Sequence, residues 1–248
     1  METSSSWDRA LDFINSQVQP VRDQGRAPRK RRGGVVTISR QAGAGAHSVA
    51  EELLKELAGT ARRDEPPWTL FDRDLVERAL REHGLPQRLA DYMPEDRVPE
   101  LADTMDQLFG LRPSSWTLVR KTADTVLHVA AMGNVVVIGR AANLITRSFE
   151  NAIHVRLVAP LAVRVARVGR SEHLDPEQAE ASVRTKDRAR RRYVQKYYRG
   201  DIDDPLAYDL VINTDRLSYV ETAQLIAEAV TARGLLVGAV HPTDGHVA

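Results

Sequence analysis

The chain has no cysteine, so it can build neither a disulfide framework nor a cysteine-based metal site. Lysine is scarce, with five residues against 30 arginines. Any phosphate recognition would therefore fall mainly to guanidinium groups and backbone amides. Arginine suits that work, because it stays charged and can grip two phosphate oxygens at once. No apolar stretch approaches the roughly 18 residues of a membrane span. The net charge of +1 provides no global field for nucleic acid. The start, METSSSWDRA, lacks the apolar core of a signal peptide. The seven histidines, His47, His83, His128, His154 and His173 among them, show no metal-ligand spacing, so no structural metal is expected. These absences lead to the expectation of a cytoplasmic protein with no membrane partner, and they disfavour nucleic acid as one. They leave its oligomeric state open.

What is present reads as an ordinary globular chain. Its 248 residues are 42% hydrophobic and 28% charged, enough for one large domain or two small ones. Residues 1–33 read as a basic N-terminal extension. Trp7, Leu11, Ile14 and Val18 fall at helical spacing, and the polar "RDQGRAPRKRRGG" follows. That basic run is either a solvated linker or a contact with nucleic acid or an acidic partner. From residue 34 to 235 short apolar strands alternate with helices, and 236–248 read as a flexible tail. Strands are expected at 35–39, 68–71, 134–139, 152–159 and 208–214. Helices are expected at 48–58, 74–82, near 99–109, and at 114–132, 161–170, 176–198 and 219–233. The alternation predicts an α/β fold with a five-stranded parallel sheet and helices on both faces. Ligands of such sheets sit beyond the carboxyl ends of the strands. Arg40–His47, Asp72, Arg140 and Thr214 all fall just after strands.

"VVTISRQAGAGAHSVAEELL" carries the sharpest signal. A strand enters a glycine-rich turn and a helix follows, as in the phosphate loop G-x-x-x-x-G-K-[ST]. Arg40 stands at the first glycine, Gly43 and Gly45 lie inside, Ala46 stands at the lysine, and His47 then Ser48 follow. By motif alone the match is poor, and a ligand-free βα turn satisfies the same glycines. Arg40 is placed to supply the missing charge, and Gln41 adds amide hydrogen-bonding capacity.

Six segments then occur in order: "SRQAGAGAHSVAEELLKELA", "FDRDLVERA", "VVVIGRAANLI", "HVRLVAPLAVRVARV", "KDRARRRYVQKYY" and "YDLVINT". Together they resemble the cytidylate kinase-like family, a branch of the P-loop nucleoside monophosphate kinases, over about residues 34–232. That family's loop typically reads S-R-Q-x-G-S-G-G, so a lysine-free loop is normal for it. The resemblance implies a P-loop kinase fold with a helical acceptor-side insertion and an arginine-rich lid. It also implies ATP and Mg2+ as cofactors and small nucleotides as substrates. Gly43, Gly45, Ala46 and His47 would offer amides to the ATP phosphates, with Gln41 and Ser48 beside them and Arg40 in the lysine's place. Ser48 is the one protein side chain near enough in sequence to replace the usual magnesium-ligating hydroxyl; otherwise phosphate and water hold the metal.

Asp72 is implied to orient the acceptor or a magnesium-bound water, or else it caps the next helix. Arg140, in "IGRAAN", resembles the arginine that contacts the monophosphate acceptor. Cytidylate kinases follow that arginine with Asp, whereas this chain has Ala141, which removes a carboxylate that reads base or sugar. Arg164, Arg167 and Arg170 share a helical face, and with the 184–191 cluster they look like a lid. Arg164 and Arg190 are the candidates for catalysis. Asn213 and Thr214 end the last strand near the expected adenine site, or simply form a turn. Two functions stay open: a phosphotransferase acting on a nucleoside monophosphate, CMP or dCMP foremost, and a nucleotide-binding regulatory module that transfers nothing.

Overall fold

A computed structural model describes residues 9–10, 12–14, 33–60, 66–72, 75, 117–139 and 141–236. Val35–Arg40 forms β1 and Ala46–Thr60 forms α1. Thr69–Phe71 is β2, Thr117–Met132 is α2 and Val135–Ile138 is β3. The short α3 spans Ala142–Ile145, β4 spans Ala152–Val158, α4 spans Leu161–Glu172 and α5 spans Pro176–Tyr198. A 3-10 turn at Pro205–Ala207 precedes β5, Leu210–Asn213, and α6, Tyr219–Ala232.

The five strands form one all-parallel sheet in the order β2-β3-β1-β4-β5. Val35 lies opposite Val135 on one side and Ala152 on the other. Successive side chains of a strand point to opposite faces, so near-continuous apolar strands need cover on both. One face carries Val36, Ile38, Val136 and Ile153 against Leu53 and Leu57 of α1 and Ile226 of α6. The other carries Val35, Phe71, Val135 and Val137 against Val126, Leu127 and Ala130 of α2. The chain leaves β1 for β2 at one edge, whereas β3 leads on to β4 at the other side of β1, so the crevice beyond the carboxyl ends of β1 and β3 is the topological switch point.

Most expected elements are present with shifted ends. Helix α1 starts at Ala46 rather than Ser48, because the loop passes straight from Gly45 into the helix. Helix α2 covers 117–132 of the expected 114–132, and residues 114–116 lie outside the described residues. Helix α3 and the 3-10 turn carried too few residues to show a period. Helix α5 has the expected bounds. Asp175 caps it by accepting from the Gln178 amide at 2.9 Å, and Pro176 fills its first turn.

The N-terminal extension is not wholly an appendage. Residues 9–10 and 12–14 are helical, and Ala10, Phe13 and Ile14 are buried in the same core as α2. Phe13 meets Phe71 edge-on, with ring centroids 6.1 Å apart. Trp7, Leu11 and Val18, the basic run at 22–32 and the tail from 237 lie outside the described residues. So do the expected helix near 99–109 and most of 74–82, of which only Leu75 is described, helical and buried.

Candidate phosphate-binding site

Strand β1 delivers Arg40 to its carboxyl end, and Gln41–Gly45 bridge to α1. Gly43 and Gly45 take φ of 78° and 79°, a left-handed backbone that L side chains adopt only with strain. Gly45 also lies flat against the Tyr219 ring, so a Cβ there would collide with it.

The loop is fastened by five hydrogen bonds. The Gln41 amide donates to the Leu157 carbonyl at 3.0 Å, and the Gln41 side-chain oxygen accepts from the Ala159 amide at 3.0 Å. The Ala42 amide donates to Asp187 at 2.7 Å, and its carbonyl accepts from Arg164 at 3.1 Å. The Ala44 carbonyl accepts from the Thr214 hydroxyl at 3.0 Å. Arg167 steadies Thr214 by donating to its hydroxyl at 3.0 Å and its carbonyl at 2.8 Å. The same guanidinium stands 5.3 Å from the centre of the Tyr219 ring.

The amides of Gly43, Gly45, Ala46, His47 and Ser48 have no acceptor among the described residues. The first intrahelical bond of α1 runs from Val49 to the Gly45 carbonyl, at 2.9 Å. A fixed glycine loop whose amides lead into a helix N-terminus is a concave donor surface for anions, with the helix dipole behind it.

A cavity of about 290 Å³ adjoins the loop. Thr37, Ser39 and Arg40 of β1, Asn143 of α3, and Arg190 and Tyr193 of α5 line it. Arg40 is half-buried, and its guanidinium lies against Gly139, where a Cβ would overlap it. The structure thus brings Arg40 and Arg190 to one cavity, at the end of β1 where the loop begins. Arg140 lies outside the described residues.

The remaining candidates divide by what they touch. Arg164 is only 7% exposed, and it donates to the Ala159 carbonyl at 2.8 Å, to the Ala42 carbonyl and to Asp187 at 2.7 Å. It is built into the wall of the loop. Thr214 is buried beneath the loop, and the Asn213 side chain accepts from the Asp215 amide at 3.0 Å in a local turn. Asp72 accepts from the Leu75 amide at 2.9 Å, the cap geometry, and its other oxygen stands 3.9 Å from His47 Nδ1. His47 is exposed at the first turn of α1. Arg170 is exposed and only bonds back to its own helix, at the Ala166 carbonyl.

Sequence reasoning missed a second polar network behind the cavity. Buried Arg156 of β4 donates to Ser39 at 3.0 Å and to Asp203 at 2.6 Å, while Arg191 of α5 also binds Asp203 at 2.6 Å. Burial opposes ionisation of Asp203, yet its bonds and charges with Arg191 and Arg156 hold the carboxyl below its ordinary range. An arginine inside the otherwise apolar β4 run, "AIHVRLVA", was the available signal.

A parallel sheet in this order, with a glycine loop entering a helix at its switch point, defines an α/β protein whose loop has the form of an anion site. The chain belongs to the cytidylate kinase-like family, whose model matches residues 35–216. Among similar proteins is a cytidylate kinase of Methanothrix thermoacetophila, 28% identical over 80% of this chain and 98% of that protein. Another, from Staphylothermus marinus, is 32% identical over 101 residues, 41% of this chain. That match spans only about half of the relative's length, 56%. A crystal structure of an uncharacterized protein from Eubacterium ventriosum shares the fold, with a TM-score of 0.61 at 17% identity, covering 80% of this chain and 98% of that one. Among the described residues no helix is long and apolar enough to cross a membrane.

Proposed function

We propose that the chain is a nucleoside monophosphate kinase that passes the γ-phosphoryl group of ATP to a small nucleotide, with CMP or dCMP the foremost acceptor. The observation that carries this reading is the set of five acceptor-free amides, from Gly43 to Ser48, beside a cavity holding Arg40 and Arg190. In phosphoryl transfer the moving group needs no protein nucleophile; catalysis is positioning and charge stabilisation.

Under this reading the loop amides cradle the β- and γ-phosphates. Arg40 supplies the cation that a lysine gives in other phosphate loops, with a planar fork in place of a point charge. Arg190 approaches from α5 and neutralises charge on the transferring group. Arg140, directly after Gly139, is assigned the acceptor's phosphate by the family pattern. Arg164 and Thr214 act as positioning residues that fix the loop from behind. Asn213 is left facing the adenine side.

The donor set fits a magnesium ion carried in by ATP better than one caged by protein. Among the described residues no group of three His, Cys, Asp or Glu side chains converges. Magnesium commonly keeps several waters, and Asp72 and Ser48 are the residues to hold them. The ion's part is to offset phosphate charge.

The test is to incubate the full chain with Mg-ATP and a panel of nucleoside monophosphates, measuring ADP and the new diphosphate. Stoichiometric diphosphate from one acceptor is the expected result. ATP binding with no phosphorylated product across the panel would sink the kinase reading and leave a nucleotide-binding module.

A further inference from the structure

Asp187 lies midway along α5, in the stretch whose arginines drew the eye, yet its bonds run to the loop. Its carboxylate accepts from the Ala42 amide at 2.7 Å and from Arg164 at 2.7 Å, and it stands 3.6 Å from Arg190. Arg164 returns to the loop at the Ala42 carbonyl. Both polar groups of Ala42 are therefore held from outside, one by α5 directly and one through α4. Neither belongs to the amide set left for phosphate. The carboxylate thus braces the loop's wall without occupying its anion surface, and the same group holds the cavity-lining Arg190.

We propose that Asp187 is a positioning residue that makes the seating of α5 and the phosphate-ready shape of the loop one event. Nucleotide bound at the loop then stabilises the seated helix, and the seated helix presents Arg190. A charged brace suits this task. One carboxylate accepts from an amide and a guanidinium and faces the charge of a second guanidinium 3.6 Å away, which no neutral side chain of that size does. The proposal rests on the reading that the loop binds nucleotide phosphate.

A second anchor of the same helix provides the control. Asp203 ties α5 to the sheet through Arg191 and Arg156 and makes no bond to the loop. The full chain would be compared as wild type, Asp187→Ala, Asp187→Asn and Asp203→Asn. ATP affinity would be measured by calorimetry without acceptor, and kcat and KM for ATP where turnover occurs. Asp187→Ala should weaken ATP binding at least tenfold. Asp187→Asn keeps an oxygen for the Ala42 amide but loses the charge facing both arginines. It should stay within about threefold of wild-type affinity while kcat falls tenfold or more. Asp203→Asn should lower Tm with ATP affinity unchanged within about threefold.

Wild-type affinity in Asp187→Ala would overturn the proposal. So would equal losses of affinity in Asp187→Ala and Asp203→Asn, since α5 would then matter only as a packed helix. If Asp187→Ala does not fold, the kcat-against-KM split of Asp187→Asn decides. A wild type that binds ATP but phosphorylates no acceptor ends the kinase reading, while the affinity comparison still tests the brace. A wild type that binds no nucleotide ends both.

Discussion

Under the proposed kinase reading, Arg40 moves the charge of a phosphate loop from one end to the other. The usual lysine follows the last glycine; here a guanidinium precedes the first turn and rests on Gly139. Arg40→Ala is therefore expected to lower kcat by about 10²–10³, the range for losing one preorganised donor to a developing oxyanion, with Tm little changed. Arg40→Lys should recover only part of this, because an ammonium cannot reproduce the fork. Gly139→Ala tests the same placement from the other side. Its methyl would overlap the guanidinium, so turnover should fall although no ligand-facing group has been removed. This residue-level layout was legible as far as the loop and the arginine beside it. The jobs of Arg164 and Thr214 were not, because sequence shows that an arginine is near a site and not which way it bonds. Only 7% and 2% exposed, both donate to backbone carbonyls of the loop.

At the scale of elements, helical and strand periods located all five strands, since each is apolar and bounded by glycine, proline or a polar turn. Boundaries drifted where tertiary contacts decide them, as at Ala46, where a free helix start would choose Ser48. What no period reveals is attachment. Helix α5 is polar along most of its length, and its hold on the body comes from Asp187, Asp203 and the buried Val183 and Val194. Asp203→Ala leaves Arg156 buried with its carboxylate removed. A cost of about 2 kcal/mol is expected in denaturant unfolding, below that of a fully buried pair because Asp203 is 40% exposed. Leu53→Ala should cost about 2–5 kcal/mol, as it empties a fully buried position between α1 and the sheet.

The molecule as a whole carries one titration inside its sheet. His154 on β4 faces Thr37 on β1, Nδ1 to hydroxyl at 2.9 Å. Burial pushes its pKa below the ordinary 6.5, with Arg233 adding to the shift and Asp209 opposing it. The unfolded chain then binds the proton more readily than the folded one. Stability from this residue is complete above pH 6.5 and is lost as pH falls below it. Thermal unfolding at stepped pH should show that slope in the wild type and a shallower one in His154→Gln.

The sheet's order has a further consequence, for the ribosome rather than for the ligand. The middle strand, β1, is the first made, and its partners begin at Val135 and Ala152. A nascent chain therefore carries an apolar strand without either neighbour while residues 41–134 are added, on the order of ten seconds at usual synthesis rates. Nascent chains stopped before β4 should engage chaperones and resist native folding, however complete their loop and first helix.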